Sequence, residues 1–175
     1  MTLKVLSGLA MAAMVCLLTQ GQKPEAAETW KGWDFMIGDW VADGGGKPGD
    51  AASGSYSFTR ELDGKILVRK NRAEYPAAGG RPAFKHEDLM IVYKDDQKNR
   101  ISANYFDNEG HVIQYVVTLA EDGKSVTFVS DSPASMPKFR LTYLAQPDAT
   151  VRGSFDMAQP GKDFTPYTTW TAHRK

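Results

Sequence analysis

The sequence has little cysteine and no excess of charge of either sign. Cys16 is the one cysteine among 175 residues, which excludes an internal disulfide and a cysteine-rich zinc site. The 21 basic residues balance 21 acidic residues, and neither sign forms a block. Proteins that bind nucleic acids or acidic membranes normally carry a basic excess, so the composition argues against both partners.

The first 26 residues differ in composition from the rest of the chain. Lys4 supplies one positive charge, and an almost continuously apolar stretch then runs from Val5 to Leu18. This stretch is short for a membrane span, and its charged start and polar end are typical of a secretory signal peptide. We therefore expect residues 1–26 to be a signal peptide with a short linker. Residues 27–175 would then be one exported domain, periplasmic or secreted, with no membrane partner after cleavage; an uncleaved anchor is the alternative.

Short alternating segments dominate the rest of the chain. Thr29–Ile37 repeats large apolar residues at helical spacing and predicts one short helix. The chain then alternates between apolar and polar residues in about ten short runs, separated by hairpin signals such as Asp63-Gly64. We therefore predict an all-β fold, an up-and-down antiparallel barrel of about ten strands, because closure removes exposed sheet edges. The short helix would close the base of the barrel, and a two-sheet sandwich is the alternative.

Two segments near the ends of the domain resemble those of lipocalin-like barrels. Gly38 and Trp40 form a Gly-x-Trp sequence similar to the one that opens these folds, and Arg174 resembles the basic residue that packs on that tryptophan. The resemblance implies that these three residues close the barrel base through a cation–π contact. With Glu61–Gly64 and Tyr105–Gly110, the pattern resembles a bacterial family of exported lipocalin-like (calycin) domains.

Nitrobindin-like haem proteins are similar barrels that also open with Gly-x-Trp. Members of that family coordinate haem through a histidine on the final strand. Here Phe164–Trp170 contains no histidine, and His173 stands at the end of the strand beside Arg174. The sequence therefore departs from the haem-binding pattern, and we expect no cofactor.

A cluster of ionisable residues begins at His86. On a strand His86 and Asp88 share a face, with their Cα atoms roughly 7 Å apart. Such a pair could orient a proton or offer two metal ligands. No third ligand stands at a fixed spacing, so we interpret the cluster as a solvated strand start and expect no metal site. No Gly-x-Ser-x-Gly or other nucleophile motif is present, and we assign no catalytic residue.

Polar residues on otherwise apolar strands are the candidates for ligand binding. Arg69 shares a strand face with Asn71 and could receive the polar head of a ligand if it points inward; the alternative is that it faces water, as half of all barrel residues do. We expect Arg140 and Arg152 to face outward. The chain has more aromatic residues than its turns require; we expect most of them to form the core, and a barrel of about ten strands can also leave a cavity for a small ligand. The candidate ligand-binding residues are Arg69, Asn71, His86, Asp88, Tyr105 and Tyr115.

These features favour a non-enzymatic exported barrel that binds a small, largely apolar molecule in its interior. One alternative is an enzyme that acts on such a molecule through His86 with Asp88 or Glu61. The others are a haem-binding, nitrobindin-like protein and a filled structural barrel without a ligand. The sequence leaves the oligomeric state open.

Overall fold

The computed structural model describes residues 29–43 and 53–175, so the expected signal peptide lies outside the described residues. Within them the chain forms ten strands: β1 Gly38–Ala42, β2 Ser53–Glu61, β3 Ile66–Tyr75, β4 Phe84–Asp95, β5 Arg100–Asp107, β6 Val112–Leu119, β7 Ser125–Ser130, β8 Lys138–Ala145, β9 Val151–Ala158 and β10 Thr165–Arg174. Over the same residues no helix is long and apolar enough to cross a membrane.

The strands form a single closed antiparallel barrel. Each strand pairs with the next one along the chain, and β1 pairs with β10 to complete the circle. The predicted all-β, up-and-down barrel is therefore confirmed, and the sandwich alternative is wrong. The start of β1 and the end of β10 lie at one end, which we call the base. The connection between β5 and β6 lies at the other, which we call the upper end.

Alternation along the strands directs the larger apolar side chains inward. On β6, Tyr115 and Val117 are buried, whereas Gln114 and Thr118 are exposed. The Asp63-Gly64 hairpin forms between β2 and β3, where both residues adopt a positive φ. Local turn chemistry and strand period therefore agree with the closed sheet.

The segment before β1 differs from the predicted helix over Thr29–Ile37. Among the described residues only Thr29 is helical, and two successive turns follow, closed by hydrogen bonds from Trp33 N to Trp30 O (3.1 Å) and from Met36 N to Trp33 O (2.9 Å). Gly32 has a φ of 82°, a left-handed conformation that interrupts a right-handed helix. The turns nevertheless bury both tryptophans and Met36 against the core.

Arg174 lies over Trp40 at the base, in the geometry that the Gly-x-Trp resemblance implies. The guanidinium carbon is 4.6 Å from the centroid of the indole ring. Its Nη1 donates to the carbonyl oxygen of Ile37 (2.7 Å), and Nη2 donates to that of Asp34 (3.2 Å). Gly38 leaves room for this guanidinium, because a Cβ there would lie 2.7 Å from Nη1. The last strand is thereby fastened to the segment that opens the barrel.

An aromatic cluster occupies the barrel interior. Tyr143 lies at its centre, with ring centroids 5.5 Å from those of Tyr56 and Phe58 and 6.2 Å from that of Phe128. Tyr115 packs on Phe128 at 6.2 Å, and all five side chains are buried. Side chains therefore fill this part of the interior, and space for a ligand has to be sought beside the cluster.

The interior of the barrel leaves no room for a side chain at Gly153 on β9. A Cβ at this position would lie 2.0 Å from a ring carbon of Trp170. We expect Gly153→Ala to lower the free energy of unfolding by about 2 kcal/mol or more, because overpacking displaces the indole from Tyr143. Urea denaturation measures the change.

Gly54→Ala on β2 is the matched control. Its Cβ would meet the nearest described atom, the Cβ of Ala42, at an ordinary 3.4 Å. We expect a change within about 0.5 kcal/mol. Equal losses in the two variants would show that steric conflict with Trp170 is not the cause.

Candidate functional site

Arg69 on β3 and Asp88 on β4 form an ion pair inside the barrel. Arg69 Nη1 donates to Asp88 Oδ1, and the two side chains are only 5% and 3% exposed. A charge buried without a partner costs several kcal/mol, so each residue depends on the other. Arg69 therefore points inward, which decides between the two orientations that its sequence allows.

Three more predicted site residues surround this pair. Asn71 Nδ2 donates to Asp88 Oδ2 (2.8 Å), because the two residues face each other in the pairing of β3 with β4. His86 Nε2 lies 3.2 Å from the same oxygen, and the Tyr105 hydroxyl lies 3.2 Å from that nitrogen. We call these five residues the ionic network. Tyr115, the sixth candidate, lies beside it in the aromatic cluster, 6.4 Å from Tyr105 between ring centroids.

The network sets the protonation of its members. The hydrogen bond to Asp88, supported by one to Glu109, raises the pKa of His86 to about 9 despite partial burial. Burial tends to raise the pKa of Asp88, but the charge of Arg69 and the hydrogen bonds from His86 and Asn71 hold it below its ordinary value. At neutral pH His86 is therefore a cation and Asp88 an anion. A protonated imidazole is a poor general base, which weakens the enzymatic alternative.

The interpretation of residues 86–88 as a solvated strand start is wrong for His86 and Asp88. Their side chains are 21% and 3% exposed, and Glu87 alone is exposed, on the outer face. Closure of the barrel buries the inward face of β4 here, and the strand pattern by itself did not show this. Nor can Glu61 join His86, because it ends β2 at the base, on the opposite end of the barrel.

Sequence reasoning missed a group of residues at the upper end. Glu109 Oε1 lies 2.9 Å from His86 Nδ1, and His111 Nδ1 lies 2.8 Å from Asp107 Oδ2. We call His86, Asp107, Glu109 and His111 the rim cluster. The donor atoms of its first three members lie within 4.8 Å of one another, so these residues could hold a metal ion. The possible ligands that the sequence analysis did not find lie at the end of β5 and in the turn that follows it. The close spacing of carboxylates and a histidine within Asp107–His111 was the signal for them in the sequence.

Four buried polar atoms next to the ionic network have no hydrogen-bond partner among the described residues. They are Tyr56 Oη, Arg69 Nε, Tyr143 Oη and Trp170 Nε1, and we call them the donor cluster. Tyr143 lies close to Arg69 and Tyr56 close to Trp170, but without acceptable hydrogen-bond geometry. Burial raises the pKa of Tyr143 to about 12, so its hydroxyl stays protonated at neutral pH.

Buried hydrogen-bond donors without a partner, such as those of the donor cluster, indicate that an acceptor atom belongs next to them. More than about 90% of buried polar groups in proteins are hydrogen-bonded, and each unsatisfied one costs about 1–3 kcal/mol. The indole and Nε groups can only donate, and a tyrosine hydroxyl can donate as well. The arrangement therefore suits an oxygen acceptor placed between Arg69 and the aromatic cluster.

The remaining candidate cations and histidine lie on the outer surface. The Arg140 side chain is 38% exposed, with its Nε paired to the buried Asp156 (2.9 Å), and Arg152 is exposed, so both face outward as expected. His173 is also exposed, with Nδ1 3.3 Å from Asp43 Oδ1. It therefore offers no axial ligand to a haem inside the barrel.

A groove of about 560 Å³ crosses the outer face of β1–β5. Its outward-facing lining includes Ser57, Lys70, Glu87, Leu89 and Phe106. Asn71 and Asp88 of the ionic network also belong to the lining of this groove, but their side chains pair with each other inside the barrel. We therefore place the candidate site in the interior.

Asp88→Asn tests the dependence of the site on its ion pair. The substitution leaves Arg69 buried without a counter-ion, and we expect the free energy of unfolding to fall by about 3–5 kcal/mol. Glu74→Gln is the control, because it breaks the half-exposed pair with Arg72 (2.6 Å). An exposed pair contributes at most about 1 kcal/mol. Similar losses in urea denaturation would contradict the role given to burial.

The raised pKa of His86 predicts a pH-dependent stability. Because the folded pKa is about 9 and the reference value is 6.5, protonation stabilises the fold fully below pH 6.5, and this is lost as pH rises through 9. We expect a loss on the order of 2 kcal/mol over that window. The measurement is urea denaturation in EDTA-containing buffer between these pH values, on wild type and His86→Gln. An unchanged pH profile in the variant would contradict the assignment.

No protein-family model matches this chain, and no curated protein matches it either. The closed ten-stranded antiparallel barrel is consistent with a calycin or lipocalin-like fold. The function is therefore inferred from the contacts inside the barrel.

Proposed function

We propose that this chain is an exported, lipocalin-like barrel that binds a small, largely apolar molecule in its interior. An oxygen-bearing head of the molecule would accept hydrogen bonds from the donor cluster, and its apolar body would lie on the aromatic cluster. The observation that carries the proposal is the set of four buried polar atoms beside those rings that have no hydrogen-bond partner within residues 29–43 and 53–175.

The donor cluster and the aromatic cluster each predict one part of the proposed ligand. Tyr56 and Tyr143 belong to both clusters, so their rings offer apolar contact while their hydroxyls donate. Arg69 already neutralises Asp88 through Nη1, which leaves Nε to donate. A carboxylate or carbonyl oxygen on an otherwise apolar body fits this combination.

Binding without catalysis is favoured by the state of the ionisable groups. His86 is held as a cation by Asp88 and Glu109, so it does not serve as a base at neutral pH. The Tyr105 hydroxyl lies next to the His86 ring, and its pKa is raised by burial and by the charge of Asp88. Export is supported by the signal-peptide pattern of residues 1–26, whose removal leaves a domain without cysteine.

Native mass spectrometry of the protein purified from its own host tests the proposal. We expect a discrete adduct, released on denaturation as a small organic molecule with a carboxyl or carbonyl group. A Tyr56→Phe, Tyr143→Phe double variant keeps the rings and loses two donors. Its occupancy should fall at least tenfold, which corresponds to about 1.4 kcal/mol.

Tyr167→Phe is the matched control, because Tyr167 is exposed on β10. It should retain the adduct at the wild-type level. A clean mass for the wild-type chain, or equal occupancy in the double variant, would overturn the proposal. The first result would mean that water alone satisfies the donor cluster.

A further inference from the structure

The rim cluster combines one imidazole with two carboxylates from separate elements. His86 lies on β4, Asp107 ends β5, and Glu109 lies in the turn that follows. Their donor atoms lie within 4.8 Å of one another. Ligand atoms bound to one metal at about 2.1 Å are roughly 3.4 Å apart in a tetrahedral site. The three side chains are therefore close enough to share an ion, for which His86 Nδ1 and Glu109 Oε1 would separate slightly from their present 2.9 Å.

A second set of contacts holds these side chains in place, and it is independent of the ligand atoms. Asp88, fully buried and already bound by Arg69 and Asn71, lies 3.2 Å from His86 Nε2. A carboxylate at the far nitrogen of an imidazole is the usual partner of a metal-bound histidine, because it fixes the ring and its tautomer. Here it leaves Nδ1 directed at Glu109 Oε1 (2.9 Å), and a bound metal ion would replace the Nδ1 proton that makes His86 a cation in its absence.

Asp107 is held in a similar way. Its Oδ1 accepts the backbone N–H groups of Glu109 (3.0 Å) and His111 (2.8 Å), which fixes the carboxylate plane. The Tyr105 hydroxyl donates to Oδ2 (3.2 Å). That oxygen also lies 2.8 Å from His111 Nδ1, so the exposed imidazole of His111 holds the Asp107 carboxylate from the solvent side.

We infer that the rim cluster binds one divalent transition-metal cation, with His86 Nδ1, Asp107 Oδ2 and Glu109 Oε1 as ligands. A mixed set of imidazole nitrogen and carboxylate oxygen suits Zn²⁺ and Co²⁺. Ca²⁺ and Mg²⁺ take oxygen ligands and six or more of them, so they fit this set poorly. The inference goes beyond the proposed function and does not depend on it.

Titration of the chelator-treated protein with Co²⁺ tests this inference, because the visible absorption of Co²⁺ reports ligand number and geometry. We expect saturable binding of one Co²⁺ per chain, with displacement by Zn²⁺. His86→Gln and Glu109→Gln should each weaken binding at least tenfold. Glu109 is half-exposed in a turn, so its variant keeps the test valid even where His86→Gln perturbs folding.

His173→Gln is the matched control, because His173 forms the corresponding histidine–carboxylate pair with Asp43 on the outer surface. It should bind Co²⁺ with wild-type affinity. The inference is overturned by the absence of saturable binding. It is also overturned by equal affinity in Glu109→Gln, or by a loss in His173→Gln as large as that in Glu109→Gln, either of which would indicate adventitious surface binding.

Discussion

The buried ion pair between Arg69 and Asp88 is the constraint on which the rest of the interior depends. Neither charge tolerates a low-dielectric core alone, so the second carboxylate oxygen of Asp88 also has to be satisfied. Asn71 and His86 supply those contacts from the same faces of β3 and β4. One arginine on the inward face of β3 therefore makes one side of the barrel interior polar, and aromatic side chains fill the rest.

The base of the barrel also depends on an arginine, but this arginine lies at the surface and not in the interior. Arg174 covers the indole of Trp40 and satisfies two carbonyl oxygens of the entering segment, and Gly38 makes room for it. The base is therefore sealed by a cation that stays at the surface, while the interior holds its cation in an ion pair.

Alternation and hairpin signals were enough to predict the fold, because strand period and turn chemistry are local. The prediction of a helix over Thr29–Ile37 was wrong because Gly32 adopts a left-handed conformation, which the spacing of apolar residues does not indicate. The orientation of Arg69 could not be predicted, since Val68 competes for the inward face and only barrel closure decides between them. The rim cluster was missed because β4 and the β5–β6 turn meet only through pairing of the strands.

Asp88 links the two sites that we propose. Its Oδ1 holds Arg69, which belongs to the donor cluster, and its Oδ2 lies against His86, which belongs to the rim cluster. A ligand oxygen at Arg69 Nε would share the guanidinium charge that Asp88 neutralises through Nη1, so it would weaken the Arg69–Asp88 pairing relative to that of Asp88 with His86. Coupling of this kind is reciprocal, so a metal that fixes His86 would alter the affinity for the ligand by the same factor. One carboxylate shared between two cations thus connects the interior of the barrel to its rim.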